Sequence, residues 1–123
     1  MPRRKALPPQ WTITIPNWHP AKLNALRGHW TIAYRLKKVD REIVAWACRG
    51  VPAAKGKRRL TLTIVLEKGQ RGGDPDAYHK SCNDALVACD MLTDDNRQGV
   101  ELMPILFTRK TRMYTIITLE DIT

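Results

Sequence analysis

Carboxylates are scarce in this 123-residue chain, which has 12 Asp and Glu against 21 Lys and Arg and a formal net charge of +9. No apolar run approaches the roughly 20 residues of a membrane span. The chain lacks a P-loop and an H-E-x-x-H helix, which disfavours nucleotide hydrolysis and a zinc protease. Its three cysteines form no C-x-x-C pair and lie among apolar residues, so we expect buried, reduced thiols. The basic surplus favours a polyanionic partner, nucleic acid first and an acidic membrane second.

The length suits a single domain over residues 1–123. Residues 1–9 contain three prolines and the run PRRK, and we expect a flexible basic arm there. This stretch lacks the apolar core of a signal peptide, so the expected location is the cytoplasm.

The hydrophobic pattern predicts an α+β fold, a mixed sheet of about four strands with two main helices packed on it. One helix is predicted over Trp30–Cys48, with an apolar stripe that repeats every three or four residues, and Trp11, Trp30 and Trp46 are expected in the core. A strand that Pro104 interrupts is expected at an edge or a bulge. The predicted strands are Trp11–Ile15, Leu60–Glu67, Val100–Phe107 and Met113–Leu119, and Thr108–Arg112 is predicted to be a basic hairpin loop.

Half of the acids lie in one stretch, Arg71–Asn96, in an otherwise basic chain. Asp74-Pro75-Asp76 is typical of a helix start, and both acids could serve only as caps. On the helix that follows, Asp76, Lys80 and Asp84 are four residues apart and share one face. Asp94 and Asp95 come just beyond that helix. Hard cations such as Mg²⁺ prefer oxygen ligands, and a lysine beside them can hold a phosphate oxygen, so the stretch has the parts for metal-dependent phosphodiester cleavage.

This pattern of Asp74-Pro75-Asp76, Lys80, Asp84-Ala85-Leu86 and Asp94-Asp95 resembles the RusA family of Holliday junction resolvases. The strong match covers about 25 residues, and the family pattern is D-x-D-N-x-x-K-x-x-x-D-A-L with a downstream D-D. The resemblance implies a homodimeric, Mg²⁺-dependent endonuclease, often phage-derived, that resolves four-way DNA junctions in recombination and repair. Ala77 stands where the family usually has Asn, which weakens the expected support for a metal ligand.

The resemblance also implies roles for individual residues. Asp74, Asp76 and Asp95 correspond to metal-binding acids, Lys80 to the catalytic lysine, and Asp84 and Asp94 to supporting acids. Mn²⁺ is expected to substitute for Mg²⁺, and the location would be a bacterial or phage-infected cell.

The distance between Asp74 and Asp95 limits how the site can close. A helix over residues 75–91 would span about 24 Å, whereas residues 92–95 can return at most about 14 Å. Either the helix stops near Ala88, or Asp95 is supplied across a dimer interface. We predict a homodimer with two acidic sites near that interface, one for each cleaved strand, because a twofold dimer matches the approximate twofold symmetry of a four-way junction.

Basic residues outside the acidic stretch are predicted to contact DNA phosphates. The alternatives to a junction resolvase are a non-catalytic basic DNA-binding protein and an endonuclease for other branched DNA, such as flaps or forks. The predicted phosphate contacts are Arg35, Lys38, Arg41, Lys55, Lys57, Arg58, Arg59, Arg71, Arg109, Lys110 and Arg112.

Overall fold

The computed structural model describes residues 9–22, 29–70 and 78–122. Within them the chain forms a five-stranded sheet and two helices, which confirms the predicted α+β class with one strand more than expected. In chain order the elements are β1 (Gln10–Pro16), α1 (Trp30–Ala47), β2 (Arg58–Glu67), α2 (His79–Ala88), β3 (Val100–Leu102), β4 (Leu106–Lys110) and β5 (Tyr114–Asp121).

Strand β2 lies inside the sheet, between β5 on one side and β3 and β4 on the other. Strand β5 is antiparallel to both β2 and β1, whereas β3 and β4 run parallel to β2. Pro104 lies in the gap between β3 and β4, where no ladder hydrogen bond is required of it. The expectation of a proline-interrupted strand at an edge is therefore confirmed.

The helices cover one face of the sheet. Along β2 the alternate residues Leu60, Leu62, Ile64 and Leu66 are fully buried, as their alternation predicts. Leu60 and Leu62 pack with Val44 of α1 and with apolar residues of α2, including Leu86. Burial of this apolar face is the main interaction that stabilises the packing of the helices on the sheet.

The predicted hairpin loop over Thr108–Arg112 is wrong. Residues 108–110 belong to β4, and β4 and β5 lie on opposite sides of β2 instead of pairing with each other. The three residues between them carry the chain across the end of β2. Two adjacent strand patterns with a short polar connection do not distinguish this crossing from a hairpin.

Helix α1 faces the core with a different side from the one its apolar stripe indicates. The buried residues are Asp40 and Val44, whereas Ile32, Val39 and Trp46 are 55%, 50% and 69% exposed. Trp30 is also exposed and Trp11 is half-buried, so the tryptophan prediction is wrong for Trp30 and Trp46. The polar Asp40 is buried because its carboxylate has three hydrogen-bond donors, so the chain buries Asp40 and leaves a row of apolar side chains in solvent.

The cysteines agree with their predicted state. Cys48 and Cys82 are buried free thiols, and Cys89 is a half-buried one. Burial raises the pKa of the Cys48 thiol to about 12, because a thiolate there would lose its hydration. Among the described residues no helix combines the length and the apolar character that crossing a membrane requires.

Candidate metal and nucleic-acid site

The end of helix α2 determines where the second acidic pair lies. The helix stops at Ala88, and Asp90 adopts a left-handed conformation with φ of 64°. The Met91 N–H donates to the Leu86 carbonyl (2.9 Å) and the Asp90 N–H to the Val87 carbonyl (3.1 Å). This is the Schellman arrangement that reverses the chain at a helix end.

The reversal brings Asp95 back to α2. The Asn83 Nδ2 donates to Asp95 Oδ1 over 3.0 Å. The structure has the shorter helix, which ends at Ala88, and Asp95 contacts Asn83 of the same chain; Asp74, the other end of the predicted distance, lies outside the described residues. Asn83 is three residues from Lys80, so the two side chains leave the same face of the helix about 5–6 Å apart at Cβ.

Lys80 and Asp84 form the charged side of α2. Lys80 Nζ lies 3.4 Å from Asp84 Oδ1, and both side chains are accessible to solvent. Lys37 of α1 reaches the other oxygen of Asp84 at 4.0 Å, a neighbour that the sequence did not suggest. Asp84 thus lies between two lysines.

The Asp94 carboxylate accepts hydrogen bonds from residues of its own loop. Its Oδ1 accepts the Asp95 N–H at 2.8 Å and its Oδ2 accepts Asn96 Nδ2 at 3.0 Å. The same loop passes so close to Gly99 that a Cβ there would collide with the Asp94 backbone. These contacts hold the backbone of Asp95 in place.

Three of the predicted site residues, Asp74, Asp76 and Arg71, lie outside the described residues, together with Ala77 and the predicted helix start. The described residues contain no group of three or more His, Cys, Asp or Glu side chains close enough to hold one metal ion. Asp95 is the predicted metal ligand that can be placed, and its carboxylate is exposed.

The start of α2 is surrounded by aromatic and basic side chains. Tyr78 is buried and packs on Phe107, while the His19 ring meets it edge-on at 5.4 Å. Lys22 Nζ lies 5.9 Å from the centre of the Tyr78 ring. Arg109 Nη1 donates to the carbonyls of Glu67 and Gln70 at the end of β2. Two cations therefore lie near the point where the chain enters α2.

A cleft opens beside Asp95. Its volume is about 480 Å³, and the cations Lys57 and Arg97 line it together with Asp95 and Asn96. Lys57 was a predicted phosphate contact, whereas Arg97 was missed although it directly follows the acidic stretch. Glu101, Val100 and Leu102 complete the lining, so the cleft has two cationic and two carboxylate side chains beside an apolar wall.

Most of the other predicted phosphate contacts are available to a ligand. Those exposed to solvent are Arg35, Lys38, Arg41, Lys55, Arg109, Lys110 and Arg112. Arg59 is half-buried and pairs with Glu120 (3.1 Å) and Glu101 (3.4 Å). Hydrogen bonding to Glu101, and less to Glu120, raises the pKa of the Arg59 guanidinium.

Arg58 is a correction to the predicted set, because it is buried. It donates to Asp121 Oδ1 (2.8 Å), the Met91 carbonyl (3.0 Å) and the Pro52 carbonyl (2.8 Å). Its guanidinium carbon lies 4.6 Å from the centre of the Trp11 ring. Its donors are directed into the protein, so it belongs to the scaffold.

Asp40 is a polar residue that the sequence reading missed. Its carboxylate accepts Trp18 Nε1 (3.0 Å), the Ala21 N–H (2.8 Å) and Ser81 Oγ (2.6 Å). These bonds join α1 to the segment after β1 and to the first turn of α2, one residue from Lys80. Trp18 is buried in this network.

A comparison with protein-family models and with curated proteins finds no significant match to this chain.

Proposed function

We propose that the chain is a metal-dependent, structure-specific DNA endonuclease of the RusA type that resolves four-way junctions. The observation that carries the proposal is the return of Asp95 to α2, beside the helix face that bears Lys80. It agrees with the spacing of acids and lysine in Arg71–Asn96 and with the net charge of +9.

The proposed metal is Mg²⁺, held by Asp74, Asp76 and Asp95. These three residues suit Mg²⁺, because all of them are carboxylates. The neighbouring side chains of Asn83 and Asp94 carry only amide and carboxylate groups. When bound, the ion would stabilise negative charge on the reacting phosphate. Mn²⁺ prefers similar ligands and would substitute.

The protein's own side chains do the remaining work in this proposal. Lys80 would face a phosphate oxygen and offset the charge that develops there. Lys57 and Arg97, which line the cleft beside Asp95, would contact the backbone on either side of the reacting phosphate. The exposed cations of α1 and β4 would hold the remaining arms of a branched substrate.

The test is cleavage of a labelled synthetic four-way junction, with flap, fork and linear duplex substrates in parallel. We expect Mg²⁺-dependent nicking of the four-way junction by the wild-type chain, which Asp76→Asn or Asp95→Asn abolishes while junction binding survives. Asp90→Asn is the matched control, because it removes an exposed acid five residues from Asp95 at a left-handed position that Asn accepts.

The outcomes separate the alternatives. Preferred cutting of flaps or forks would make the chain an endonuclease for other branched DNA. A wild-type chain that binds junctions and cuts no branched DNA with Mg²⁺ or Mn²⁺ would be a non-catalytic DNA-binding protein. Equal loss of cleavage in Asp90→Asn and Asp95→Asn would contradict the proposed site.

The proposed partner besides DNA is a second copy of this chain, paired through α1. The side chains Ile32, Leu36, Val39, Ile43 and Trp46 follow the 4-3-4-3 spacing of a coiled-coil seam, and three of them are at least half exposed. We name this row the α1 seam. An exposed apolar row of this size is uncommon on a monomer.

Charges beside the α1 seam favour an antiparallel pair. Arg35 and Glu42 flank the seam on the same side and are exposed. A twofold axis near Val39 would place Arg35 of each copy beside Glu42 of the other, so the pairing would be complementary in charge.

The oligomeric state tests this pairing, measured by light scattering during gel filtration. We expect a dimer for the wild-type chain, a monomer for Val39→Glu, and no change for Ala45→Glu, which adds the same charge off the seam. Arg35→Glu should weaken the dimer, and Arg35→Glu combined with Glu42→Arg should restore it. A monomeric wild-type chain at high concentration would refute the pairing and leave the proposed cleavage chemistry to be judged by its own assay.

A further inference from the structure

Asn83 is a buried polar residue of helix α2. It is 3% exposed, and its neighbours Cys82, Ala85 and Leu86 are fully buried. Its Nδ2 donates to Asp95 Oδ1, but its Oδ1 is buried and meets no hydrogen-bond partner among the described residues. A buried acceptor without a partner destabilises the folded state. An apolar side chain would therefore serve stability better at this position.

The one bond that Asn83 makes is directed at Asp95. Among the described residues, this is the one hydrogen bond that the Asp95 carboxylate accepts, because Asp94 bonds to the Asp95 backbone N–H instead. The bond occupies one carboxylate oxygen of a residue that is exposed as a whole. Without Asn83 the Asp95 side chain would be free to rotate.

We propose that Asn83 is a positioning residue that orients the Asp95 carboxylate for a divalent cation. The inference rests on the proposed metal-dependent function and adds to it a residue that does not touch metal or DNA. Ligating carboxylates are themselves commonly hydrogen-bonded, and loss of such a partner typically lowers metal affinity by 10–100-fold. The unfavourable burial of the Asn83 amide is the stability given up for that orientation.

Direct Mn²⁺ binding, followed by electron paramagnetic resonance, and Mg²⁺ titration of junction nicking test the proposal together. Asn83→Leu keeps a similar volume and removes both polar atoms, and Asn83→Ala covers the case in which Leu does not fit. We expect 10–100-fold weaker Mn²⁺ binding and a matching rise in the Mg²⁺ needed for half-maximal nicking. The nicking rate at saturating Mg²⁺ should fall much less, and the urea midpoint of Asn83→Leu should stay equal to or above that of the wild type.

Two comparisons separate positioning from a general structural effect. Cys82→Ala changes a buried neighbour on the same helix and should leave Mn²⁺ affinity unchanged. In an Asp95→Asn background, Asn83→Leu should weaken Mn²⁺ binding no further, because its effect acts through the Asp95 carboxylate.

The failures are distinguishable. Wild-type affinity for Mn²⁺ in Asn83→Leu and Asn83→Ala would overturn the role of Asn83 and leave the proposed function standing. Additive losses in the double variant would overturn it as well. A wild-type chain that neither binds Mn²⁺ nor nicks a junction would overturn the proposed function, and the role of Asn83 with it.

Discussion

Replacing Arg58 with methionine should destabilise the fold and leave the intrinsic affinity for DNA nearly unchanged. Methionine keeps an unbranched stem beside Trp11 but removes the donors to Pro52, Met91 and Asp121. The buried Met91 carbonyl left without a donor costs about 1–3 kcal/mol, and the Pro52 carbonyl costs less because Pro52 is exposed to water. Loss of one partner of a buried ion pair costs about 3–5 kcal/mol, and the share from Asp121 is smaller because its side chain is 36% exposed. We expect a total loss of about 3–5 kcal/mol, a large part of the 5–15 kcal/mol typical of a domain.

Urea unfolding followed by tryptophan fluorescence measures the loss of stability. Binding to duplex DNA at several salt concentrations measures the affinity for DNA. Arg112→Met is the matched control, because it makes the same change at an exposed arginine. We expect Arg112→Met to keep its urea midpoint, to bind DNA more weakly and to show a smaller salt slope. A wild-type urea midpoint for Arg58→Met, with weakened DNA binding, would refute the assignment of Arg58 to the scaffold.

Three further outcomes follow from the same structure. Gly99→Ala should lose about 1–3 kcal/mol in urea unfolding and weaken Mn²⁺ binding, because its Cβ would collide with the backbone of Asp94; unchanged values would refute the close approach. Asp90→Gly should gain about 0.5–1 kcal/mol by relieving the left-handed conformation, and a loss in urea unfolding would contradict this. Because burial raises the pKa of Cys48 from 9.0 to about 12, the folded state favours the neutral thiol. Its contribution to stability should be full below pH 9 and fall between pH 9 and 12, and Cys48→Ala should show a shallower fall in urea midpoint over that range.

The sequence predicted the elements better than their contacts. The alternation of β2, the bounds of α1 to within one residue and the interruption at Pro104 follow from local pattern, which the chain carries in adjacent residues. The strand pairing does not, since β4 and β5 could equally have formed a hairpin. Their positions on either side of β2 depend on the whole sheet.

Buried polar residues account for the main errors in predicting which side chains are buried. Asp40 and Arg58 look like surface residues in a hydropathy pattern, yet all but one of their hydrogen-bond partners lie 19 to 63 residues away in the chain. Because no local rule locates such partners, the pattern assigned α1 the wrong buried side and Arg58 the wrong role.

The candidate site was predictable as a set of residue types and less so as geometry. The spacing of Lys80, Asp84, Asp94 and Asp95 can be read from the sequence. Whether Asp95 returns to α2 within one chain depends on where the helix ends, and the sequence did not decide that. That end is formed by Asp90 where glycine is usual, so the signal was weak. Asn83 lies three residues after Lys80, and this spacing was the one local sign of its position.

The position of β5 has a consequence for how the chain folds during synthesis. Residues 114–121 form the strand between β1 and β2, so β1 has no partner until these residues are made. The contacts that complete the sheet join segments about 100 residues apart, and such long-range pairing is slow to form. Before it forms, the edges of β1 and β2 and the apolar face beneath α1 stay open to other chains. A fragment that ends before Tyr114 should therefore aggregate instead of folding, even though it contains every residue of the proposed site.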